Sequence, residues 1–147
     1  LALVDPLVEN YGGTPYADQA RLVAARVHVE KGDLDEAAGR LRQVAEGSRD
    51  PELAMVARLR LARVESAAGR HEAALALLDA AASPAIAPRI DELRGDVLLA
   101  KGDRAGALAA YERARTGAEG RPSAALVDAE TLGLKIEALS GPAPAAE

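Results

Sequence analysis

GDLDEA at 32–37, GRHEAA at 69–74 and GDRAGA at 102–107 are the stretches whose reading decides the fold. Their glycines, Gly32, Gly69 and Gly102, stand 37 and 33 residues apart, and the same residue sizes recur around each. Seven positions before the glycine comes a tiny residue (Ala25, Ala62, Gly95), and five positions after it another (Ala37, Ala74, Ala107). A period in the thirties centred on a glycine marks helical hairpins stacked in an array. In an antiparallel hairpin, positions equidistant from the turn meet where the helices cross. Ala25 is therefore expected opposite Ala37, Ala62 opposite Ala74, and Gly95 opposite Ala107. Small residues on both sides let the axes approach to about 8 Å, the lower end of helix packing distances. Nine positions after each glycine come Leu41, Leu78 and Tyr111, expected to fill the space between neighbouring pairs. Twelve after come Val44, Ala81 and Ala114, compact again where the next pair packs.

Punctuation along the chain agrees with that period. Residues 1 to 11 read as the tail of an earlier helix, ended by Gly12 and Gly13, since glycine readily adopts the left-handed conformation that closes helices. Thr14-Pro15 and Asp50-Pro51 each read as a capping side chain followed by proline at the first helical position. Asp33 with Glu36 has the spacing of a capping box. Ser83, Pro84 and Pro88 make the next break, and Gly117, Gly120 and Pro122 a loop. The expected hairpins span about 15–47, 51–82 and 89–117. A last helix over about 123–139 carries Leu126, Val127, Leu132, Leu134, Ile136 and Leu139 to cover the final pair, since an array needs a closing element. Together these predict an all-α, right-handed solenoid of three helical hairpins plus a capping C-terminal helix, in one domain over 1–140 with a flexible tail at 141–147.

Composition supports this architecture and excludes several functions. The chain has 147 residues, enough for one useful core, and 49% are apolar, yet only three are aromatic, all tyrosine. Leu, Val and Ala must fill the core, and alanine is the best helix former. The net charge is −5 with acids and bases interspersed, so the basic stripe that nucleic-acid binding requires is missing. No apolar run approaches the ~20 residues that span a bilayer; the longest, from Ala73, is broken by Asp79. The chain begins with Leu1, which predicts a fragment of a longer protein. With no cysteine, disulfides and thiolate metal sites are excluded.

No residue pattern points to catalysis. His28 and His71 lie 43 residues apart without further ligands at helical spacing, so neither a metal nor a cofactor is expected. The acids Asp33, Asp35 and Glu36 lack the spacing and the glycine of a calcium loop, and capping explains them better. The glycines are isolated at turns with no Gly-Lys-Ser/Thr sequence after them, and no serine has a glycine-flanked nucleophile setting. The expected role is a noncatalytic protein-interaction module.

The three glycine-to-alanine blocks resemble the tetratricopeptide repeat superfamily. Longer stretches, VEKGDLDEAAGRLRQV (29–44), ARLRLARV (57–64), DELRGDVLLAKGDRAGALAAYERA (91–114) and LGLKIEAL (132–139), resemble the periplasmic domain of the YfgM-like family, the ancillary subunits of the SecYEG translocon. RLRLARV and DELRGD are the most discriminating pieces, and the resemblance runs from about Tyr11 to Leu139. It implies a periplasmic repeat domain held at the inner membrane by a single-pass anchor outside this chain. It also implies partnership with SecYEG and a PpiD-like chaperone, acting on exported client proteins. The heavy Ala/Arg content and Pro-rich tail depart from the family pattern. Alternatives are a repeat scaffold in envelope biogenesis, with YGGTPYA at 11–17 as the shared element, or a self-associating structural domain.

In such arrays the first helix of each pair lines the concave face. Counting back ten, six and three from each glycine gives Leu22, Arg26 and Val29; Leu59, Arg63 and Ser66; and Glu92, Asp96 and Leu99. These nine are the candidate protein-binding residues. Leucines and valines mixed with two arginines suit an extended or helical polypeptide. The bland alternative pairs Arg26 and Arg63 with acids such as Glu30 and Glu65 on solvated faces.

Overall fold

The computed structural model describes residues 4–81, 83–121 and 127–141. Among them there is no strand. The helices are α1 (Val4–Tyr11), α2 (Pro15–Lys31), α3 (Leu34–Gly47), α4 (Pro51–Ala67), α5 (His71–Ala80), α6 (Ala87–Lys101), α7 (Arg104–Ala118) and α8 (Ala129–Ser140), with one 3-10 turn at Pro84–Ile86. The chain divides into two compact units, Leu1–Ala81 and Ala82–Glu147. The first holds α1 and the hairpins α2/α3 and α4/α5. The second holds the hairpin α6/α7 and α8, which packs on α7.

All three hairpin turns use one device. Gly32, Gly69 and Gly102 have φ of 81°, 79° and 92°, a conformation that a side chain makes costly. Each glycine N–H bonds back to Val29, Ser66 or Leu99, and the following N–H bonds to the carbonyl of His28, Glu65 or Leu98. This double closure satisfies carbonyls that the helix end would otherwise orphan.

The starts of the helices are fixed by side chains. Thr14 Oγ1 accepts from the Ala17 N–H, and Asp50 Oδ1 accepts from Glu52 and Leu53 at 2.8 and 3.2 Å, with Pro15 and Pro51 following. The capping box expected at Asp33 and Glu36 does not form. The Asp33 N–H that Glu36 would need is already given to the His28 carbonyl at 2.9 Å. Asp33 makes no side-chain cap bond, and Glu36 instead accepts from Arg40. At the equivalent place in the third turn, Asp103 does cap, accepting from the Gly106 N–H at 2.8 Å. A Cβ on Gly106 would come 2.4 Å from the Asp103 carboxylate, so the bare backbone there makes room for it.

The final helix starts later than the sequence suggests. Residues 122–126 lie outside those described, while Val127 and Asp128 precede the helix, which begins at Ala129. Asp128 caps it by accepting from the Glu130 and Thr131 N–H groups and the Thr131 hydroxyl. Those bonds, the Thr131 hydroxyl first, hold its carboxyl below the usual range. Gly117 belongs to α7 rather than to the loop after it. Of the expected tail, only Gly141 is described.

Alanine-lined contacts fill each interior. Ala25, Ala37, Ala62, Ala74 and Ala107 are all essentially inaccessible. In the first unit Leu22, Ala25, Ala37, Leu41, Val44, Ala57, Leu61 and Val64 belong to one cluster. In the second, Ala107, Tyr111, Ala114, Val127, Leu132, Ile136 and Leu139 form another, so α8 lays its apolar stripe on α7. Gly95 shows a finer fit: a Cβ there would stand 2.3 Å from the Tyr111 ring. Its close neighbour is thus the ring nine positions past the turn.

Candidate binding hollow and the second-unit polar cluster

On the first unit, α2 and α4 flank an open hollow of about 470 Å³. Leu22, Val23, Arg26 and Val29 come from α2, at spacings that put most of them on one helix face. Arg60, Arg63 and Val64 come from α4, and Ala25 and Leu41 close the floor. The floor is apolar and already packed, whereas Val23 and Val29 leave 53% and 42% of their surfaces in water. Val23 and Val29 lie eight and fourteen residues past Pro15, and their exposed surfaces leave the rim apolar.

Three arginines and no acid line the hollow, although the chain as a whole carries −5. Arg26 sits 3.6 Å from Glu30 with both side chains mostly exposed, a pair of ~0–1 kcal/mol that a better partner can displace. Among the described residues Arg60 and Arg63 have no ion-pair partner. Glu65, the acid the sequence offered as a partner for Arg63, is buried and held by Arg42 at 2.8 Å and by Arg70, which also reaches Asp35. Of the three lining arginines only Arg26 forms an ion pair among the described residues, and that pair is exposed.

Of the nine sequence-derived candidates, the structure brings Leu22, Arg26, Val29 and Arg63 together in this hollow. Leu59 and Ser66 do not line it. Ser66 Oγ lies 3.4 Å from His71 Nδ1, at the foot of the next hairpin turn. Counting back from the turns missed Val23 and Arg60, because a fixed offset samples one residue per helical turn and skips the neighbours that share the same opening.

Glu92 and Asp96 have another employment. Glu92 is 5% exposed and is held by Arg89 at 2.6 Å and Lys135 at 3.0 Å. Lys135 also donates to Asp96 at 2.8 Å, and the Tyr111 hydroxyl donates to the same Asp96 oxygen at 2.7 Å. The ammonium lies 5.3 Å from the Tyr111 ring centre, a cation–π distance. Glu92 is thus buried and engaged, whereas Asp96, its side chain still 35% accessible, is tied to Lys135 and Tyr111; Leu99 of this row stays well exposed. Lys135 was the signal for this in the sequence: one cation among Leu132, Leu134, Ile136 and Leu139. Burial lowers the Lys135 pKa, but the bonds to Asp96 and Glu92 outweigh it and leave the pKa raised. Burial, then the Asp96 bond, push the Tyr111 phenol up strongly.

No group of three or more His, Asp or Glu that could hold a metal occurs among the described residues. His28 Nδ1 approaches Asp33 Oδ2 at 3.5 Å, a local contact across the first turn. No described helix is long and apolar enough to cross a membrane.

Comparison with known proteins agrees with this architecture. Residues 1–141 match the family described as tetratricopeptide repeat-like domain. A protein of Escherichia coli (strain K12) named ancillary SecYEG translocon subunit is 39% identical over 97 residues, covering 66% of this chain and 47% of that protein. Its namesake in Aggregatibacter actinomycetemcomitans is 35% identical over 111 residues, covering 76% and 54%. The chain thus spans about half the length of the curated relatives it matches. Among solved structures, PcrH from Pseudomonas aeruginosa has a TM-score of 0.71 at 22% identity, covering 88% of this chain and 96% of that one. A T3SS complex from Aeromonas hydrophila has a TM-score of 0.67 at 17% identity, covering 95% and 96%. At those identities the likeness is one of fold.

Proposed function

This chain belongs to the tetratricopeptide repeat-like family, and from that premise we propose that it is a noncatalytic protein-interaction domain of a SecYEG-associated protein. The observation that carries the reading is its similarity to proteins named ancillary SecYEG translocon subunit. In this reading the domain sits at the periplasmic face of the inner membrane, held by an anchor outside this chain. There it brings a membrane-anchored PpiD-like chaperone to newly exported proteins. Rigid helical hairpins suit that task, because they present side chains at fixed spacing and leave the partner to supply the ordering cost.

The test is co-isolation from native membranes. The full-length protein, affinity-tagged and solubilised in mild detergent, should bring SecY with it at salt concentrations that strip adventitious charge contacts. Recovery of SecY no better than from a strain carrying an unrelated tagged periplasmic protein would refute the reading.

A further inference from the structure

The hollow on the first unit carries a narrower statement, which rests on the interaction reading above. We propose that it binds an acidic, leucine-bearing segment of a polypeptide partner. Three observations lead there. The floor made by Leu22, Ala25, Leu41 and Val64 is buried and apolar, and about 470 Å³ falls within the ~300–1,000 Å³ typical of ligand pockets. Val23 and Val29 remain exposed at its edge, so an apolar side chain entering the hollow gains contact from walls as well as floor. Arginines stand on both flanking helices, Arg26 on α2 and Arg60 and Arg63 on α4, with no acid among the lining residues.

That distribution selects the occupant. A small anion with one charged head satisfies one arginine and leaves the apolar floor uncovered. A segment with carboxylates on either side of a leucine meets both helices at once, each guanidinium offering two parallel N–H donors to a carboxylate. Local charge is the discriminating term. The lining carries three arginines and no acid while the whole chain carries −5, which favours an acidic segment over a basic one at this opening.

The experiment is fluorescence anisotropy on the intact chain with short fluorescein-labelled peptides. The probe has two leucines one helical turn apart flanked by glutamates. A second peptide replaces the glutamates with lysines, and a third replaces the leucines with serines. The glutamate–leucine peptide should bind at least about tenfold tighter than either control, and rising salt should weaken it. Arg60→Glu with Arg63→Glu should weaken it about tenfold or more and turn the preference toward the lysine peptide. Val23→Ser with Val29→Ser, which leaves every charge in place, should weaken binding without changing that preference. Equal binding of the glutamate and lysine peptides, no binding, or indifference to the arginine reversal overturns the proposal. So does arginine-dependent capture of phosphatidylglycerol vesicles without peptide binding, which assigns the patch to a membrane surface. The two readings fail separately: peptide failure leaves SecY co-isolation standing, and loss of co-isolation leaves the peptide preference standing.

Discussion

Gly95 is bare because Tyr111 is large. At the position seven before the turn the first two hairpins carry Ala25 and Ala62, and nine after it they carry Leu41 and Leu78. The third hairpin shrinks the first residue to glycine and enlarges the second to tyrosine, whose ring occupies the place of a Cβ. Volume is conserved across the pair, as close-packed interiors demand. Gly95→Ala alone is expected to destabilise by about 1–3 kcal/mol from overpacking, partly offset by the ~1 kcal/mol better helix propensity of alanine. Tyr111→Leu alone should cost about 2–4 kcal/mol, since it opens a void and removes the hydroxyl from Asp96. The double variant restores the alanine–leucine pair of the other hairpins and should lose less than the sum by about 1 kcal/mol or more, read from urea unfolding. Strict additivity would show that the two sites do not share this space. Spacing in the sequence was enough to mark Gly95 as a crossing residue. The tyrosine ring beside it was not legible, because periodicity says which residues share a face and not where a ring lies.

At the scale of elements, the turns and capped starts were readable and the polar clasp was not. Thr14-Pro15 and Asp50-Pro51 announce their helices through local hydrogen bonds, so their meaning lies within a few residues of sequence. The failure of Glu36 to reach back is also local, but it arises from competition for the Asp33 N–H that only the built turn reveals. The clasp of Lys135 on Glu92 and Asp96 joins residues about forty apart, and no local pattern encodes it. It sets an alkaline limit on the second unit. Lys135 has a folded pKa above its ordinary 10.5, so its contribution is fully present below that pH and is lost as pH rises through the folded value. Tyr111 stays neutral in the fold beyond its ordinary 10.0, while the unfolded phenol ionises, so stability again falls as pH rises past 10. Thermal melts of the wild type should drop steeply from pH 10 upward, and Tyr111→Phe should flatten that drop. Identical slopes would contradict the clasp. In the first unit, Ala74→Arg puts a long charged chain at an inaccessible point of α5, and should destabilise by about 3 kcal/mol or more. An unchanged melting temperature would show that α4 and α5 do not cross there.

For the whole molecule, the family was legible because the repeat blocks and the segments 29–44, 57–64 and 91–114 each carry many residues of one pattern. The hollow was half legible. Leu22, Arg26, Val29 and Arg63 follow from counting along helices, whereas Val23, Arg60 and the floor from Leu41 and Val64 depend on how α2, α3 and α4 pack. What the repeats present to a partner is therefore a property of packing more than of any motif. The most direct test of the account places a photo-crosslinking amino acid at Val29, on the rim of the hollow, and in parallel at Thr116, on the exposed side of α7, in the full-length protein in living cells. The account predicts adducts with translocon, chaperone or exported chains from Val29 and few or none from Thr116. Equal adducts from both positions, or none from Val29, would contradict it.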